Sequence, residues 1–371
     1  MDLRARARVL LPVFLLILTV LAVRQLWWRA PARVVLSGPT MGTTWSVTLD
    51  TRGRGRGDLG SARAAIDERL ATANRLMSTW DPDSELSRFN RHASTEPFRL
   101  SPETLHVLGL AQEISEKTDG AFDVTVRPLV AAWGFGAGAR APGHGPEAAE
   151  LEAIRQRVGF RLLELDPMAG TARKRRPDVE CDLSAIAKGF AVDEVARALS
   201  LLGWTDFLVE VGGEVRAHGR RPAGGAWRVG IERPDAAGRV VETVVALADA
   251  VMATSGDYRS FYEEAGKRLT HIVDPRSGRP VGHSLASVSV VHRQAVRADA
   301  WATALTVLGP EQGFARAEAE GIAAYFLVRS EGGSFEARST RAFPALHDSH
   351  TPLDPERTRA APSRDPGLAA P

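Results

Sequence analysis

The 371-residue sequence is poor in two reactive residue types, cysteine and lysine. Cys181 is the single cysteine, which excludes an internal disulfide bond and any metal site built from several cysteines. The lysines are Lys117, Lys174, Lys188 and Lys267, so arginine supplies nearly all of the 47 basic residues. We attribute this bias to genome composition rather than to function.

The charge balance differs between the N-terminus and the rest of the chain. The whole sequence has a formal charge of +2, but residues 1–33 hold six arginines against one aspartate. The remainder is therefore slightly acidic, and its composition gives no argument for a nucleic-acid partner. With 44% hydrophobic and 25% charged residues, the chain is long and apolar enough for one large domain or two average ones.

The first 33 residues are typical of an export signal. Arginines at positions 4, 6 and 8 precede an uncharged apolar run over residues 9–23, followed by Arg24, Trp27 and Trp28. The run extended to Trp28 has about 20 residues, enough to span a bilayer. We expect a signal anchor or signal peptide that places the protein at the bacterial inner membrane, facing the periplasm. A buried core helix is the alternative.

The rest of the chain divides into a folded body and a tail. Residues 344–371 are rich in Pro, Ala, Asp and Arg without periodicity, which predicts a disordered tail. Residues 34–343 mix short strands with helices, which favours the α+β class and a single large unit. Alternation over residues 34–49 predicts a hairpin. Further predicted strands cover residues 207–211, 227–232, 243–247, 287–291 and 322–328. Predicted helices cover residues 63–76, 102–118, 185–202 and 297–308, and Ser101 is the predicted N-cap of the second.

Residues 182–193 (DLSAIAKGFAVD) predict a helix start that can bind an anion. Asp182 or Ser184 is a candidate N-cap, and the exposed N–H groups of a helix start accept phosphate. Lys188, one turn into the helix, adds a positive charge. The alternative is a well-capped helix with a surface lysine.

Two further patterns contain polar residues that packing does not require. Asp299 and Thr303 are spaced i, i+4, which puts a carboxylate and a hydroxyl on one helix face as oxygen ligands suited to Mg²⁺. The alternative is an exposed polar stripe. His271 precedes an Asp-Pro-Arg-Ser-Gly turn, and a neutral imidazole at a strand end can take a proton from a hydroxyl group. The alternative is a structural hydrogen-bond donor.

A fourth pattern combines glycines with aromatic residues. The stretch 118–125 (TDGAFDVT) and the downstream WGFG at residues 133–136 allow close backbone approach and offer rings to a flat ligand. Core packing is the alternative at these positions.

Taken in order, these and other motifs resemble the ApbE family of FAD:protein FMN transferases. The resemblance covers residues 34–330. The motifs are MGT (41–43), MSTW (77–80), SELSRFN (84–90), GAFD (120–123), DLSAIAKGFAVD (182–193), VGG (211–213), TSGD (254–257), THIVDPRSG (270–278) and ADAWAT (298–303).

The resemblance implies an ApbE-like, T-fold-related fold and a role for individual residues. His271 matches the histidine assigned as catalytic base, and Asp274 beside it is a candidate either to orient it or to help hold the metal. The Mg²⁺ ligands match Ala185 through its carbonyl oxygen, and Asp299 and Thr303 through their side chains. The FAD-contacting positions match Met41, Trp80, Ala121, Phe122, Asp123, Asp182, Lys188 and Val273.

The implied reaction moves FMN from FAD to a Thr or Ser hydroxyl of a target flavoprotein subunit in a membrane redox complex, with release of AMP. Many relatives are lipoproteins, but this leader has no cysteine, so we expect anchoring by the N-terminal helix or no anchoring at all. Two alternatives stay open at this point. One is a metal-dependent FAD pyrophosphatase that gives FMN and AMP, and the other is a non-catalytic extracytoplasmic flavin carrier.

Overall fold

The computed structural model describes residues 33–51, 57–141, 145–222, 224–234, 240–257, 261–264, 267–330 and 332–347. The predicted signal anchor and most of the predicted tail lie outside these residues. Within the described part of the chain, no helix is long and apolar enough to cross a membrane.

The described residues form seven helices and eighteen strands, joined by short turns and two 3-10 segments. The helices are α1 (Gly57–Met77), α2 (Glu85–Arg91), α3 (Pro102–Lys117), α4 (Arg127–Ala132), α5 (Ala148–Arg155), α6 (Ala187–Leu201) and α7 (Ala295–Ala319). The strands are β1 (Arg33–Thr40), β2 (Thr43–Asp50), β3 (Phe98–Arg99), β4 (Leu163–Asp166), β5 (Thr171–Lys174), β6 (Phe207–Val211), β7 (Glu214–His218), β8 (Trp227–Arg233), β9 (Val240–Leu247), β10 (Val251–Gly256), β11 (Phe261–Glu264), β12 (Lys267–Thr270), β13 (Val273–Asp274), β14 (Arg279–Pro280), β15 (Leu285–His292), β16 (Ala323–Arg329), β17 (Phe335–Ser339) and β18 (Leu346–His347).

A large sheet separates two hydrophobic cores. Its eight strands follow the order β1-β2-β6-β7-β10-β15-β16-β17, and every neighbouring pair is antiparallel. Helices α1, α6 and α7 pack on one face over the main core. A small sheet of β8, β9 and β18 covers a second core that includes Leu208, Trp227 and Tyr325. The α+β prediction is confirmed, and β18 extends the described fold beyond the predicted boundary at residue 343.

The first two strands form the predicted hairpin. Thr40 pairs with Thr43, so Met41 and Gly42 alone make the turn, with φ angles of 47° and 71°. Two positive φ angles in succession fit the right-handed twist of a hairpin. The backbone of Met41 is strained, because residues other than glycine rarely adopt a positive φ angle.

The start of α3 follows the prediction, whereas the start of α6 does not. Ser101 caps α3 by accepting a hydrogen bond from the N–H of Thr104. The cap position of α6 is Ile186, without a side-chain hydrogen bond, so the prediction of Asp182 or Ser184 as the cap is wrong. The Asp182 carboxylate instead accepts the N–H of Ser184 at 2.8 Å, which closes a turn before the helix.

Helix α7 is longer than the predicted 297–308. It breaks at Gly309, where φ is 80°, and continues to Ala319. Pro310 has no N–H, so the carbonyl of Thr306 loses its helical donor. His283 Nε2 lies 2.8 Å from this carbonyl oxygen and replaces that donor. The predicted end of the helix is therefore a break inside it.

Candidate functional site

Helices α6 and α7 approach each other closely at their N-terminal ends. A Cβ atom on Gly189 would lie 2.3 Å from the carbonyl oxygen of Ala295, so only glycine fits there. The Gly189 N–H donates to Asp299 Oδ2 at 2.9 Å. Gly189 lies in the first turn of α6, where N–H groups have no acceptor within the helix. This contact therefore fixes Asp299 and gives one of these N–H groups a partner.

Lys188 lies between two carboxylates at this point. Its Nζ atom is 3.4 Å from Asp299 Oδ1 and 3.2 Å from Glu214 Oε1. The same ammonium group lies 3.4 Å from the carbonyl oxygen of Ser184. Asp299 and Glu214 are 4% and 2% exposed. We call Lys188, Gly189, Glu214 and Asp299 the helix crossing, although Glu214 comes from the start of β7.

The electrostatics of the helix crossing favour additional positive charge. Burial alone would lower the pKa of Lys188, but the Asp299 and Glu214 carboxylates more than offset it and raise that pKa. Burial also raises the pKa of Glu214 to about 8, an effect that Lys188 opposes and Asp299 reinforces. Burial is the main cause of the Glu214 shift, and with both acids ionised the helix crossing would carry two negative charges against one positive charge.

Oxygen atoms suited to Mg²⁺ gather around this cluster. Thr303 follows Asp299 by one turn of α7, and the Ala185 carbonyl lies just before α6. In the part of the chain that the structure describes, no group of three or more His, Cys, Asp or Glu side chains could hold a metal ion. A cation bound here would need these neutral oxygens in addition to the Asp299 carboxylate. Together they are the ligands that the sequence analysis predicts for Mg²⁺. The exposed-stripe alternative is wrong, because Asp299 is buried.

The segment before α6 is held in place by backbone contacts from two directions. The Asn90 side chain donates to the Cys181 carbonyl and accepts from the Cys181 N–H, both at 2.8 Å. The Asp182 N–H donates to the carbonyl of Val124 at 2.7 Å. These bonds place Asp182 between helix α2 and the predicted stretch 118–125.

Within that stretch the structure assigns packing and folding roles to the side chains. Asp123 accepts hydrogen bonds from the N–H and hydroxyl of Thr125 and from the N–H of Phe160. Burial raises the pKa of Asp123, and these bonds only partly oppose the shift. The side chains of Ala121 and Phe122 are buried in hydrophobic clusters. A ligand can therefore meet this stretch chiefly through its backbone.

The β1–β2 turn lies close to the helix crossing. Gly212 has a φ of 58°, and a Cβ atom there would lie 2.9 Å from Thr43 Cγ2 and 3.2 Å from Lys188 Cδ. This proximity places Thr43, two residues after Met41, near Lys188. Trp80, which follows α1, is 73% exposed and so presents its ring to solvent.

His271 belongs to a second group of residues, which we call the histidine rim: Trp133, Phe135, Tyr262 and His271. The rings of Phe135 and His271 meet edge to face with centroids 6.4 Å apart, and Phe135 and Tyr262 are 5.3 Å apart. The Tyr262 hydroxyl donates to the Trp133 carbonyl at 3.1 Å. The Trp133 indole donates to the Gly278 carbonyl at 2.8 Å, which ties the rim to the turn after His271.

The residues that follow His271 connect the rim to the fold. Val273 is buried against Leu129 and Trp133. Ile272 packs with Ala121 and with Val307 of α7, so the helix that carries Asp299 also supports the rim. Asp274 does not support the predicted orienting role, because both of its carboxylate oxygens accept hydrogen bonds from Arg276.

Glu214 is the site residue that the sequence analysis missed. It directly follows the Gly212-Gly213 pair that the VGG motif contains, at the first position of β7. The available signal was an acidic residue at a position that faces the core. A glutamate with 2% exposure needs a cationic partner, and Lys188 is that partner.

The fold and these contacts define an α+β protein in which a lysine and two buried carboxylates meet beside a helix start. A family model described as the ApbE family matches residues 41–326. The chain belongs to the ApbE family.

Similar proteins cover most of the chain. A FAD:protein FMN transferase of Vibrio cholerae is 42% identical over 314 residues, which cover 85% of this chain and 93% of the relative. Its counterpart in Haemophilus influenzae is 40% identical over 320 residues, with 85% and 92% covered. The solved structure of flavin transferase ApbE from Vibrio cholerae matches with a TM-score of 0.76 at 40% identity, covering 84% of this chain and 98% of that one. The apo Pseudomonas stutzeri flavinyl transferase ApbE gives 0.76 at 36% identity, covering 84% and 95%.

Proposed function

We propose that the protein transfers FMN from FAD to a Thr or Ser hydroxyl of a target flavoprotein and releases AMP. Membership of the ApbE family, with relatives named FAD:protein FMN transferase, supports FMN transfer from FAD to a protein. The observation that carries the proposal is the helix crossing, where the ammonium group of the half-buried Lys188 meets two buried carboxylates at a helix start.

We assign Mg²⁺ to the oxygens of Asp299, Thr303 and Ala185. Three features fit a hard cation: the buried Asp299 carboxylate, a hydroxyl one turn later and a backbone carbonyl just before α6. A bound Mg²⁺ would polarise phosphoryl oxygens and compensate the charge that develops on them.

The chain's own residues bind and orient FAD. The pyrophosphate would accept hydrogen bonds from the start of α6 and pair with Lys188. Met41, Trp80, Asp182 and Val273 would contact the remainder of FAD. Ala121, Phe122 and Asp123 would do so through their backbone, because their side chains are buried.

His271 would accept the proton of the target hydroxyl group. The hydroxyl oxygen of the target forms a bond to the FMN phosphorus while the bond from that phosphorus to the AMP oxygen breaks. The hydroxyl proton passes to the His271 imidazole, and AMP leaves with the electron pair. No covalent enzyme intermediate is required, in accord with a single cysteine that is fully buried.

An intact-mass experiment tests this function against its alternatives. The protein is incubated with FAD, Mg²⁺ and a Thr-containing target domain. A mass increase on the target by one FMN unit, with one AMP released per unit, is the expected result. Free FMN and AMP with an unmodified target would instead indicate a pyrophosphatase, and unchanged FAD would indicate a carrier.

We also propose that the protein is exported, held at the bacterial inner membrane by its N-terminal helix and active on a flavoprotein subunit of a membrane redox complex in the periplasm. The support is the arginine-flanked apolar run of residues 9–23. Fusing residues 1–33 to a periplasm-dependent alkaline phosphatase tests export. Activity that disappears when the apolar run is replaced by polar residues is expected, and an inactive fusion of the intact leader would contradict the proposal.

A further inference from the structure

The Asp299 carboxylate has one oxygen committed to the fold and one committed to Lys188. Oδ2 accepts the N–H of Gly189 at 2.9 Å, a bond that the close approach of α6 and α7 enforces. Oδ1 faces the Lys188 ammonium group at 3.4 Å. A cation that binds Asp299 Oδ1 would therefore lie close to the Lys188 ammonium group. The two positive charges would repel each other at such a short distance.

Glu214 is the second carboxylate partner of Lys188, and it contacts the ammonium group through one oxygen. Its Oε1 atom lies 3.2 Å from the ammonium group. Its Oε2 atom is buried and makes no hydrogen bond to any described residue. A buried carboxylate oxygen without a hydrogen-bond donor costs free energy. Glu214 would therefore be stabilised if the Lys188 ammonium group moved closer and donated to this oxygen as well.

The stem of Lys188 limits how the side chain can respond. Lys188 Cδ would be 3.2 Å from a Cβ atom at Gly212, which shows how closely the β6–β7 turn approaches it. Lys188 Nζ also lies 3.4 Å from the Ser184 carbonyl at the start of α6. A shift of the ammonium group from Asp299 towards Glu214 needs only the end of the side chain to move.

We propose that Lys188 occupies Asp299 in the metal-free enzyme as a built-in competitor of the divalent cation, and that Glu214 is a positioning residue that receives the displaced lysine. This deepens the proposed function, on which it rests, because Lys188 then stays beside the helix start with its charge available to the substrate pyrophosphate. Until the cation binds, the lysine partly compensates the negative charge of Asp299 and Glu214.

Calorimetric titration with Mg²⁺ alone, without FAD or target, tests the competition. Lys188→Met should bind Mg²⁺ about tenfold more tightly than the parent protein. Glu214→Gln should bind it about fivefold more weakly, since the lysine then has no second carboxylate. Asp178→Asn, at an exposed carboxylate paired with Arg176, is the matched control and should leave the affinity unchanged.

The double variant separates a positioning role from direct ligation. With Lys188→Met already present, adding Glu214→Gln should have little further effect, because no lysine remains to be received. An equal or larger loss in that background would make Glu214 a metal ligand and overturn the positioning role. Unchanged Mg²⁺ affinity in Lys188→Met would overturn the competition.

The small number of lysines makes a direct observation feasible. Labelling lysine at ¹³Cε gives one signal for each of the four lysines, and Lys188→Met identifies the one of interest. Mg²⁺ should shift this signal in the parent protein while Lys117, which lies on α3, keeps its position. A Lys188 signal that does not respond while calorimetry detects binding would contradict the proposal. Both measurements omit FAD, so their failure is distinguishable from failure of FMN transfer.

Discussion

The helix crossing and the histidine rim position their reactive groups by different means. At the helix crossing, two packed helices and a strand start hold buried charges through backbone contacts, as in the bond from Gly189 to Asp299. At the histidine rim, His271 follows a short strand and is supported by aromatic edges and single hydrogen bonds. The difference indicates that the charged groups of the helix crossing depend on global packing, whereas the position of His271, the proposed base, depends on local loop geometry.

The largest effect should come from removing the charge at the helix crossing. Asp299→Asn keeps an oxygen for the Gly189 N–H but loses the anion, and a lost metal-ion contribution of several kcal/mol corresponds to about a thousandfold slower FMN transfer. Initial rates from intact mass of the target measure this. Asp178→Asn is the control, and a normal rate for Asp299→Asn at low Mg²⁺ would remove the metal assignment.

The histidine rim should show a smaller catalytic effect without a loss of stability. His271→Ala removes the proton acceptor, so FMN transfer should fall about a hundredfold while the thermal midpoint stays the same. His106→Ala, at an exposed position on α3, is the matched control. Transfer at the parental rate in His271→Ala would exclude the residue as the base.

A purely steric change should distinguish the two regions by stability. Gly189→Ala places a methyl group against the backbone of Ala295 and should lower the free energy of unfolding by about 1–3 kcal/mol. The same variant should also weaken Mg²⁺ binding. Gly109→Ala in α3 has no atom within 4 Å of the new methyl group and should gain up to about 1 kcal/mol. Urea unfolding measures both, and equal stability of the two variants would refute the close approach of α6 and α7.

The smallest effect concerns the break in α7 at Gly309. Burial lowers the pKa of His283 from its ordinary value of 6.5, and the buried Nδ1 atom makes no hydrogen bond to a described residue. The unfolded chain therefore binds a proton more readily, so stability should fall as the pH drops below about 6.5. His283→Gln should weaken this dependence in urea unfolding at pH 7.5 and 5.5. An unaltered dependence would show that other groups cause it.

Local sequence patterns predicted those parts of the fold that depend on local rules. The strand at residues 207–211 and the start of α3 at Ser101 were predicted correctly, because apolar runs and capping chemistry act within a few residues. The spacing of Asp299 and Thr303 likewise placed both on one helix face. The prediction for α7 stopped at Gly309 because the donor that supports the break, His283, comes from a distant segment.

The missing part of the site depends on which elements meet. No local pattern indicates that Lys188 will face both Asp299 and Glu214, since the three come from different elements. The need for glycine at position 189 arises from the backbone of α7 and not from its own helix. Asp182 was predicted as a cap because its type and position fit, but it closes the preceding turn instead.

The solitary Cys181 makes the protein convenient for spectroscopy. Its side chain is fully buried, and burial raises the pKa of the thiol to about 12, so alkylating labels will not react with it in the folded state. A cysteine introduced at Met168, which is 97% exposed, would thus be labelled selectively in the otherwise native chain. Fluorescent or spin probes at exposed positions chosen in this way can then report motions during turnover, with the native cysteine left in place.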